Sequence, residues 1–365
     1  MPSRNKKGSR WVPLCSKYVM VATDYNTKIM KIMLDNLKFS ITDQGIIRRL
    51  ICFAENEMSS RKPQNNNYVC YSKYGALMRL DFRKSIENGC LIGFRHAEVS
   101  ISPHYHFNNY LHNGNDLSPK KCLKSLEGIF TFLQIRKAEF ALLKVVNIEY
   151  GLNFIPTVDV KNLIEGISFH KRTFFIVPYA SKPYFKITDA TKYKQIKAYA
   201  KGLQFADHPE YGVNINTFRF EIKSKQSKCI AKIGIKTVKD LFNEKIYDKL
   251  FQSILDEWVS VLYTHEKEKF SEFLKDSNRD KFNYERQKYM KINIETRNIC
   301  RQIKGQLIDK FLSFQDSANS TQKTSINRGK VKIIDEPSPL INLEYAEFNI
   351  NITKNNRVGF GTSSK

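Results

Sequence analysis

IKAYAKGLQFADHPEYGVNINTFRFEIK, residues 196–223, holds two alternating segments on either side of a loop that contains Gly, Pro and Asn. In the first segment, Tyr199 and Lys201 lie two residues apart and are separated by one small apolar residue, Ala200. Alternation of apolar and polar residues with a period of two is the pattern of a half-buried β-strand. The stretch therefore predicts a strand over 195–201 and a second strand over 217–224.

The polar faces of these two strands carry side chains that can take part in catalysis. Tyr199 and Lys201 share a face of the first strand, Gln204 follows it, and Arg219 and Glu221 share a face of the second. A tyrosine hydroxyl can attack a phosphodiester, and a lysine can compensate the charge of a phosphate or phenolate. Carboxylates beside them can hold a divalent metal. Together these residue types are what metal-assisted DNA nicking requires.

Two earlier alternating stretches, 91–102 and 144–155, predict further strands with carboxylates on their polar faces. If helices cover the apolar face of one antiparallel sheet, its polar face is left open and gathers these side chains. Two or three carboxylates around Mg²⁺ or Mn²⁺ form the usual oxygen-ligand arrangement. The predicted metal ligands are Glu98, Glu149 and Glu221.

Helix signals lie between and after the strands. Ser118 as N-cap and Pro119 at the first helical position predict a helix over 119–134. Apolar positions at helical spacing predict a long helix over 236–274 and another over 282–313. The sequence therefore predicts an α+β fold, with an antiparallel-rich sheet, helices on one face of it, and a helical C-terminal region.

Composition points to a nucleic-acid partner. The 365 residues include 60 Lys and Arg against 36 Asp and Glu, a formal net charge of +24. Such an excess is typical of proteins that bind a polyanion, most often nucleic acid. Basic runs at 223–239 and 279–304 are the expected phosphate-contacting surface, and the predicted DNA-binding residues are Lys223, Lys225, Lys228 and Lys232.

The cysteines and the apolar segments favour a cytoplasmic protein. None of the seven cysteines forms a CxxC pair, which favours reduced thiols and gives no support to a zinc ribbon. No stretch approaches the length of a membrane span, and the basic N-terminus lacks the apolar core of a signal peptide.

Changes in composition and hydrophobic pattern along the chain predict four regions. Residues 1–16 are a basic flexible arm, and 17–228 form a strand-rich catalytic domain. Residues 229–314 form a helical, basic, DNA-contacting region, and 315–365 form a mostly disordered tail of low complexity.

Several blocks of this sequence resemble the gene II/X family, the replication initiation proteins of filamentous phages, and their relatives on small phage and plasmid replicons. The sharpest blocks are IKAYAKGLQF, NTFRFEIKSK and IGIKTVKDLF, in that order. AEVSIS, NYLHNGND and IEYGLNF resemble earlier blocks of the family. The resemblance covers roughly residues 68–245.

The resemblance implies a rolling-circle initiator that nicks one strand of a double-stranded origin, keeps a 5′-phosphotyrosine link and later rejoins the displaced strand. By motif position Tyr199 is the nucleophile, Lys201 its charge partner and Glu149 an active-site acid. Arg219 and Glu221 belong to the supporting block. The implied setting is a bacterial cytoplasm, with Mg²⁺ or Mn²⁺ as cofactor. Origin DNA, the displaced strand, and the host helicase and polymerase are the implied partners.

Some features leave alternatives open. Many relatives carry an acidic residue where this chain has Ala200, which leaves the ligand set of the metal undefined. His104 and His106 flank Tyr105 as in nucleases that bind a metal through two His, but they follow a Pro and enter an Asn-rich loop, which favours a chance match. The alternative functions are a non-catalytic origin- or RNA-binding protein of the same fold and a protein that packages nucleic acid.

Overall fold

The computed structural model describes residues 32–64, 66–264 and 278–323. The predicted arm at 1–16 and the part of the predicted tail after residue 323 lie outside these ranges. The described chain has the predicted α+β fold, in which a large antiparallel sheet is combined with helices.

The main sheet has nine strands in the order β2-β3-β4-β5-β1-β6-β11-β10-β9. All neighbouring pairs in it are antiparallel. Its strands are β1 (Met33–Ile41), β2 (Ser60–Pro63), β3 (Asn67–Ser72), β4 (Gly75–Glu87), β5 (Cys90–Ile101), β6 (Lys144–Phe154), β9 (Phe185–Thr191), β10 (Lys194–Ala200) and β11 (Phe218–Ser224).

A small sheet and the helices complete the described fold. The small sheet has the order β12-β7-β8, with strands β7 (Ile167–His170), β8 (Thr173–Phe174) and β12 (Val261–Tyr263). The α-helices are α1 (Gln44–Glu57), α2 (Pro103–Phe107), α3 (Pro119–Phe132), α4 (Val160–Gly166), α5 (Ser227–Ala231), α6 (Lys245–Trp258), α7 (Arg279–Ile292) and α8 (Ile294–Lys323). Short 3₁₀ turns cover Lys137–Leu142, Gly202–Phe205, Pro209–Tyr211 and Val238–Phe242.

Helices cover the apolar face of the main sheet, as predicted. Phe39 on β1 packs its ring 5.6 Å from the ring of Phe130 on α3. Trp258 at the end of α6 lies edge-on to Phe220 on β11, with ring centroids 5.3 Å apart. The predicted start of α3 is confirmed, since the Ser118 hydroxyl accepts a hydrogen bond from the amide of Lys121.

Over its described part, residues 236–264, the predicted long helix is wrong, and residues 265–274 lie outside the described residues. A 3₁₀ turn at Val238–Phe242 and α6 are followed by β12, an apolar triplet that pairs with β7. Because Val-Leu-Tyr can be buried equally well in a helix or a strand, its local pattern does not distinguish the two, and the pairing with β7 decides.

The predicted helix over 282–313 is two helices, because Asn293 interrupts it. The side-chain oxygen of Asn293 accepts from the amide of Thr296 at 2.8 Å, which caps the start of α8. The second of these helices reaches Lys323, so the predicted loose tail does not begin at residue 315.

The C-terminal helices share the core of the strands. Trp258, Ile303 and Leu307 are buried in the same apolar cluster as the sheet residues. Of the helices in the described ranges, none is both long enough and apolar enough to span a bilayer.

Candidate functional site

The register of three neighbouring strands brings the predicted polar residues together. On β10 and β11, Tyr199 lies opposite Arg219 and Lys197 lies opposite Glu221. On β11 and β6, Lys223 lies opposite Glu149. The alternation of strands 195–201 and 217–224 therefore predicted the shared polar face correctly.

The Tyr199 hydroxyl donates a hydrogen bond to Oε1 of Glu221. Tyr199 is only 4% exposed, and its ring packs 5.0 Å from the ring of Phe185. Burial and the negative charge of Glu221 raise the pKa of Tyr199 well above its ordinary value. Burial also raises the pKa of Glu221, to about 8. The phenol therefore faces a carboxylate that is an unusually strong base once it is ionised.

Lys197 lies between the two carboxylates of the site. Its ammonium donates to Glu149 and lies 3.4 Å from Oε2 of Glu221. Lys223 pairs with the other oxygen of Glu149 at 3.1 Å. Burial opposes ionisation of Glu149, but the charges of the two lysines outweigh it and lower the pKa of Glu149. Glu149 is therefore a carboxylate at neutral pH with two cationic partners.

Asp35 anchors Arg219 from the neighbouring strand β1. Nη1 of Arg219 donates to Oδ2 of Asp35 at 2.7 Å, and Nδ1 of His104 lies 2.9 Å from Oδ1 of the same carboxylate. Burial opposes ionisation of Asp35, but the charge of Arg219 and the hydrogen bond from His104 hold its pKa well below the ordinary value. Arg219 and His104 are fully buried and Asp35 is 6% exposed, so the ion pair of Arg219 with Asp35 is almost entirely shielded from solvent.

A β-bulge places Asp35 in this position. The register of β1 against β6 shifts between Leu34 and Asn36, so Asp35 is the extra residue. A bulge redirects a side chain that regular pairing would aim elsewhere. The structure thus adds Asp35 and His104 to the site, and neither was predicted as a site residue from the sequence. The only local signal is an aspartate between apolar residues and Asn36 in the stretch MLDNLKF.

Lys201 is buried at the end of β10. Its ammonium donates to Oδ1 of Asn113 at 2.6 Å and to Oε1 of Gln204 at 3.0 Å. Burial, followed by the charge of Arg219, lowers the pKa of Lys201 to about 7. Lys201 therefore changes its charge near neutral pH, and Gln204 holds its ammonium in place.

The loop between α2 and α3 covers the Arg219 end of the site. Nη2 of Arg219 donates to the carbonyl of Asn113. Asn153 on β6 donates to the carbonyls of Gly114 at 2.9 Å and Asn115 at 3.1 Å. Oδ1 of Asn115 also lies 2.8 Å from Nε2 of His104. These bonds fix the NYLHNGND segment as a cap, so the prediction of a fully open polar face is wrong at this end.

Exposure of the site increases from Arg219 toward Lys223. The Arg219 side chain is fully buried, whereas those of Lys197 and Lys223 are 15% and 29% exposed. A ligand can therefore approach from the lysine side of the cluster.

Not every predicted residue joins the cluster. Glu98 pairs with Lys38 and lies 3.7 Å from His96. It belongs to β5, which is separated from β6 by β1. Lys225, Lys228 and Lys232 are exposed beyond the end of β11. Glu149, Tyr199, Lys201, Gln204, Arg219, Glu221 and Lys223 are the predicted residues that the structure brings together.

The His104 and His106 pair is not a metal centre. Both residues lie on the short helix α2, and Nδ1 of His106 contacts the Ser125 hydroxyl at 2.9 Å, whereas His104 contacts Asp35. The two rings thus serve different partners in this arrangement.

The predicted Mg²⁺ or Mn²⁺ ligands do not fit a metal centre as they are arranged. The ammonium of Lys197 occupies the position between Glu149 and Glu221, where a shared cation would lie. Glu98 is engaged with Lys38. Within residues 32–64, 66–264 and 278–323, no three His, Cys, Asp or Glu side chains are grouped to hold an ion. Lys197 supplies the positive charge in this arrangement.

Comparison of the chain with protein-family models found no match, and neither did comparison with curated proteins. The resemblance to the gene II/X family therefore depends on the motif blocks alone.

Proposed function

We propose that this protein nicks one strand of an origin DNA through Tyr199 and rejoins it, as a rolling-circle replication initiator of a small replicon. The observation that carries the proposal is the contact between the Tyr199 hydroxyl and Glu221, beside Arg219 and Lys197. A nucleophile, a base and cations within one cluster are the parts that phosphodiester cleavage needs.

The proposed reaction starts at the phenol oxygen. Glu221, as carboxylate, takes the proton of Tyr199 while the phenol oxygen attacks the phosphorus. The bond from phosphorus to the 3′ oxygen breaks, which leaves a 5′-phosphotyrosine on the protein. The ammonium of Lys201, with a pKa of about 7, donates a proton to the departing oxygen and gives a free 3′-OH. Attack of a 3′-OH on the phosphotyrosine reverses these steps and rejoins a strand.

Fixed cations support this chemistry. Arg219 is held by Asp35 and does not have to reorganise when charge builds up on the phosphate. Lys197 has a flexible four-carbon stem, so its ammonium can leave the carboxylates and follow a phosphate that enters from the exposed side. Entry of the phosphate therefore coincides with release of Glu221 from one of its cationic partners.

No step of this mechanism passes through a metal, because Lys197 holds the cation position. The dependence on Mg²⁺ or Mn²⁺ stays a prediction from the resemblance. Titration of Mn²⁺ into the wild type and into Lys197→Met, followed by electron paramagnetic resonance, tests it without reference to activity. Binding by the wild type at sub-millimolar Mn²⁺ supports a metal site. Binding by Lys197→Met but not by the wild type supports an arrangement in which the ammonium of Lys197 takes the place of the metal.

A second candidate function is origin binding without cleavage. The 4% exposure of Tyr199 favours it, because a nucleophile must reach its substrate. In this case the cluster is a buried polar network that fixes the orientation of β10 and β11, and the basic surface carries the function.

Nicking of supercoiled plasmid DNA that carries the replicon's origin distinguishes the two functions. The proposed enzyme converts supercoiled plasmid to open circle, and Tyr199→Phe abolishes the conversion while retaining DNA affinity. A wild type that binds the origin and leaves the plasmid supercoiled, with Mg²⁺ and without it, supports the second function.

A further inference from the structure

The tip of the β4–β5 hairpin exposes a cluster of large apolar side chains. Ile86, Leu91 and Ile92, which we call the apolar tip, are 47%, 54% and 56% exposed. Single exposed apolar residues are common on protein surfaces. Three of them at one end of one hairpin form a patch, and patches of this kind mark contact sites.

The hairpin projects beyond its neighbours in the sheet. The ladder of β1 with β5 ends where Ile41 lies opposite Ala97, and the ladder of β3 with β4 ends where Asn67 lies opposite Arg83. Lys84 makes the next backbone contact on that side. After it, three residues of β4 pair only with β5 among the described residues, a projection of roughly 10 Å at ~3.3 Å per residue.

The projecting part is narrow and ends in apolar side chains. Asn88 and Gly89 form its turn, with φ angles of 50° and 78° that match the twist of a two-residue hairpin. Ile86 lies opposite Leu91, and the register shift beside this pair makes Ile92 the extra, bulged residue of β5. A thin ribbon that ends in three exposed apolar side chains fits insertion between two layers better than docking onto one flat partner.

Cations surround the root of the projection. Arg95 is exposed, while Arg83 and Lys84 are half-buried and donate to Oδ1 of Asn67 and the carbonyl of Gln64, each at 2.7 Å. We call Arg83, Lys84 and Arg95 the basic collar. The collar complements two phosphate backbones, and the apolar tip complements the base stack between them.

We propose that the β4–β5 hairpin is a wedge that opens duplex DNA, with the apolar tip inserted between base pairs and the basic collar on the flanking phosphates. The proposal rests on the DNA-nicking function proposed above. Apolar Leu and Ile side chains inserted at a base step unstack it and separate the strands locally. Such opening would supply the single strand that can reach the recessed Tyr199, which an intact duplex cannot.

The test uses the full chain with Tyr199→Phe, so that no cleavage occurs, and a short A·T-rich duplex that contains 2-aminopurine. Unstacking of the reporter base raises its fluorescence, and anisotropy measures binding. Ile86→Ser, Leu91→Ser and Ile92→Ser together should lower the fluorescence rise by about fivefold or more while affinity changes by about twofold or less, since the collar is intact.

Two matched controls accompany this variant. Leu142→Ser, Val259→Ser and Ile292→Ser together remove apolar residues that are at least as exposed on average from other surfaces and should leave opening unchanged. Arg95→Gln should weaken DNA binding and lower the slope of log affinity against log salt concentration by about one. The fluorescence rise at saturating protein should stay unchanged. Circular dichroism melting of each variant verifies the fold.

The outcomes separate the wedge from the nicking function. Binding by the parent chain without any fluorescence rise, or a full rise with the apolar tip removed, overturns the wedge alone. A change in sedimentation from dimer to monomer when the tip is removed, with opening unaffected, assigns the tip to a second copy of the chain. Absence of duplex binding by the parent chain overturns the proposed function and the wedge together.

Discussion

Tyr199 donates a hydrogen bond to Glu221 although the two residues are not opposite each other in the sheet. Tyr199 lies opposite Arg219 and Glu221 lies opposite Lys197, so the bond runs diagonally between β10 and β11. Diagonal neighbours on one face are within reach of long side chains. The diagonal joins a phenol, a carboxylate and a guanidinium in one cluster, and burial of that cluster sets the protonation behaviour of each.

Gly151 provides the space that Glu221 needs on β6. A Cβ at Gly151 would lie 2.6 Å from Cγ of Glu221 and 2.8 Å from the carbonyl oxygen of Phe220. We therefore expect Gly151→Ala to destabilise the fold by about 1–3 kcal/mol, because the carbonyl oxygen of Phe220 cannot move without displacing its strand. Urea unfolding measures the change. Gly305→Ala, on α8 with nothing within 4 Å, is the control and should stabilise by about 0.5–1 kcal/mol. Equal effects at both positions would show that the approach to Glu221 is not tight.

Asp35 is the buried counter-charge of Arg219, so its removal leaves a guanidinium without its nearest anion. We expect Asp35→Asn to cost about 3–5 kcal/mol of stability. Glu127→Gln breaks an exposed pair with Lys137 and should cost about 1 kcal/mol or less. A loss for Asp35→Asn no larger than that of the exposed control would contradict the ion pair.

The raised pKa of Glu221 predicts a pH dependence of stability with a defined sign. Its folded pKa of about 8 lies above the ordinary value of 4.5, so the folded state holds a proton that the unfolded state has released. Stability is therefore lost as pH rises from 4.5 through 8, by at most about 1.4 kcal/mol per pH unit. The lowered pKa of Lys201, about 7, has the opposite effect, and only above pH 7.

Comparison of the wild type with Glu221→Gln between pH 5 and 7 isolates this contribution, because glutamine does not titrate in that range. We expect the advantage of the wild type over Glu221→Gln to shrink steadily as pH rises. A constant difference in unfolding free energy across this range would place the pKa of Glu221 near its ordinary value.

The exposed lysines after β11 should contribute to DNA affinity through counterion release. Binding that uses ~6–10 phosphate contacts should weaken by on the order of 10³–10⁵ between ~50 and ~200 mM salt. Substitution of Lys225, Lys228 and Lys232 by Gln should lower the slope of log affinity against log salt by up to about three. The matched control substitutes three exposed lysines on α3 and in the turn that follows it, Lys120, Lys124 and Lys137. Equal slopes for the two triple variants would place the DNA surface elsewhere.

The strands and their polar face could be predicted from the sequence because alternation is local information. Tyr199 and Glu221 fall on one face by counting residues, and the antiparallel pairing of consecutive strands brings them together. Asp35 could not be found in this way. It meets Arg219 only because β1 lies beside β6 in the sheet and carries a bulge at that point.

The burial of the site was also not predicted from the sequence. The loop between α2 and α3 contacts Arg219 through the carbonyl of Asn113 and Lys201 through its side chain, and these segments are far apart in the chain. The sequence pattern indicated that this face is polar, and a polar face is ordinarily exposed. Its contacts with the loop are tertiary, so no local periodicity contains them.

The most direct test of the central claim is a covalent adduct between the protein and DNA. Origin DNA labelled at the 3′ end of the nicked strand is incubated with the protein, denatured and resolved by gel electrophoresis. We expect labelled protein for the wild type and for Tyr105→Phe, a half-buried tyrosine on α2, and none for Tyr199→Phe. An adduct that persists in Tyr199→Phe, or one that disappears in Tyr105→Phe alone, would contradict the assignment of Tyr199 as the nucleophile.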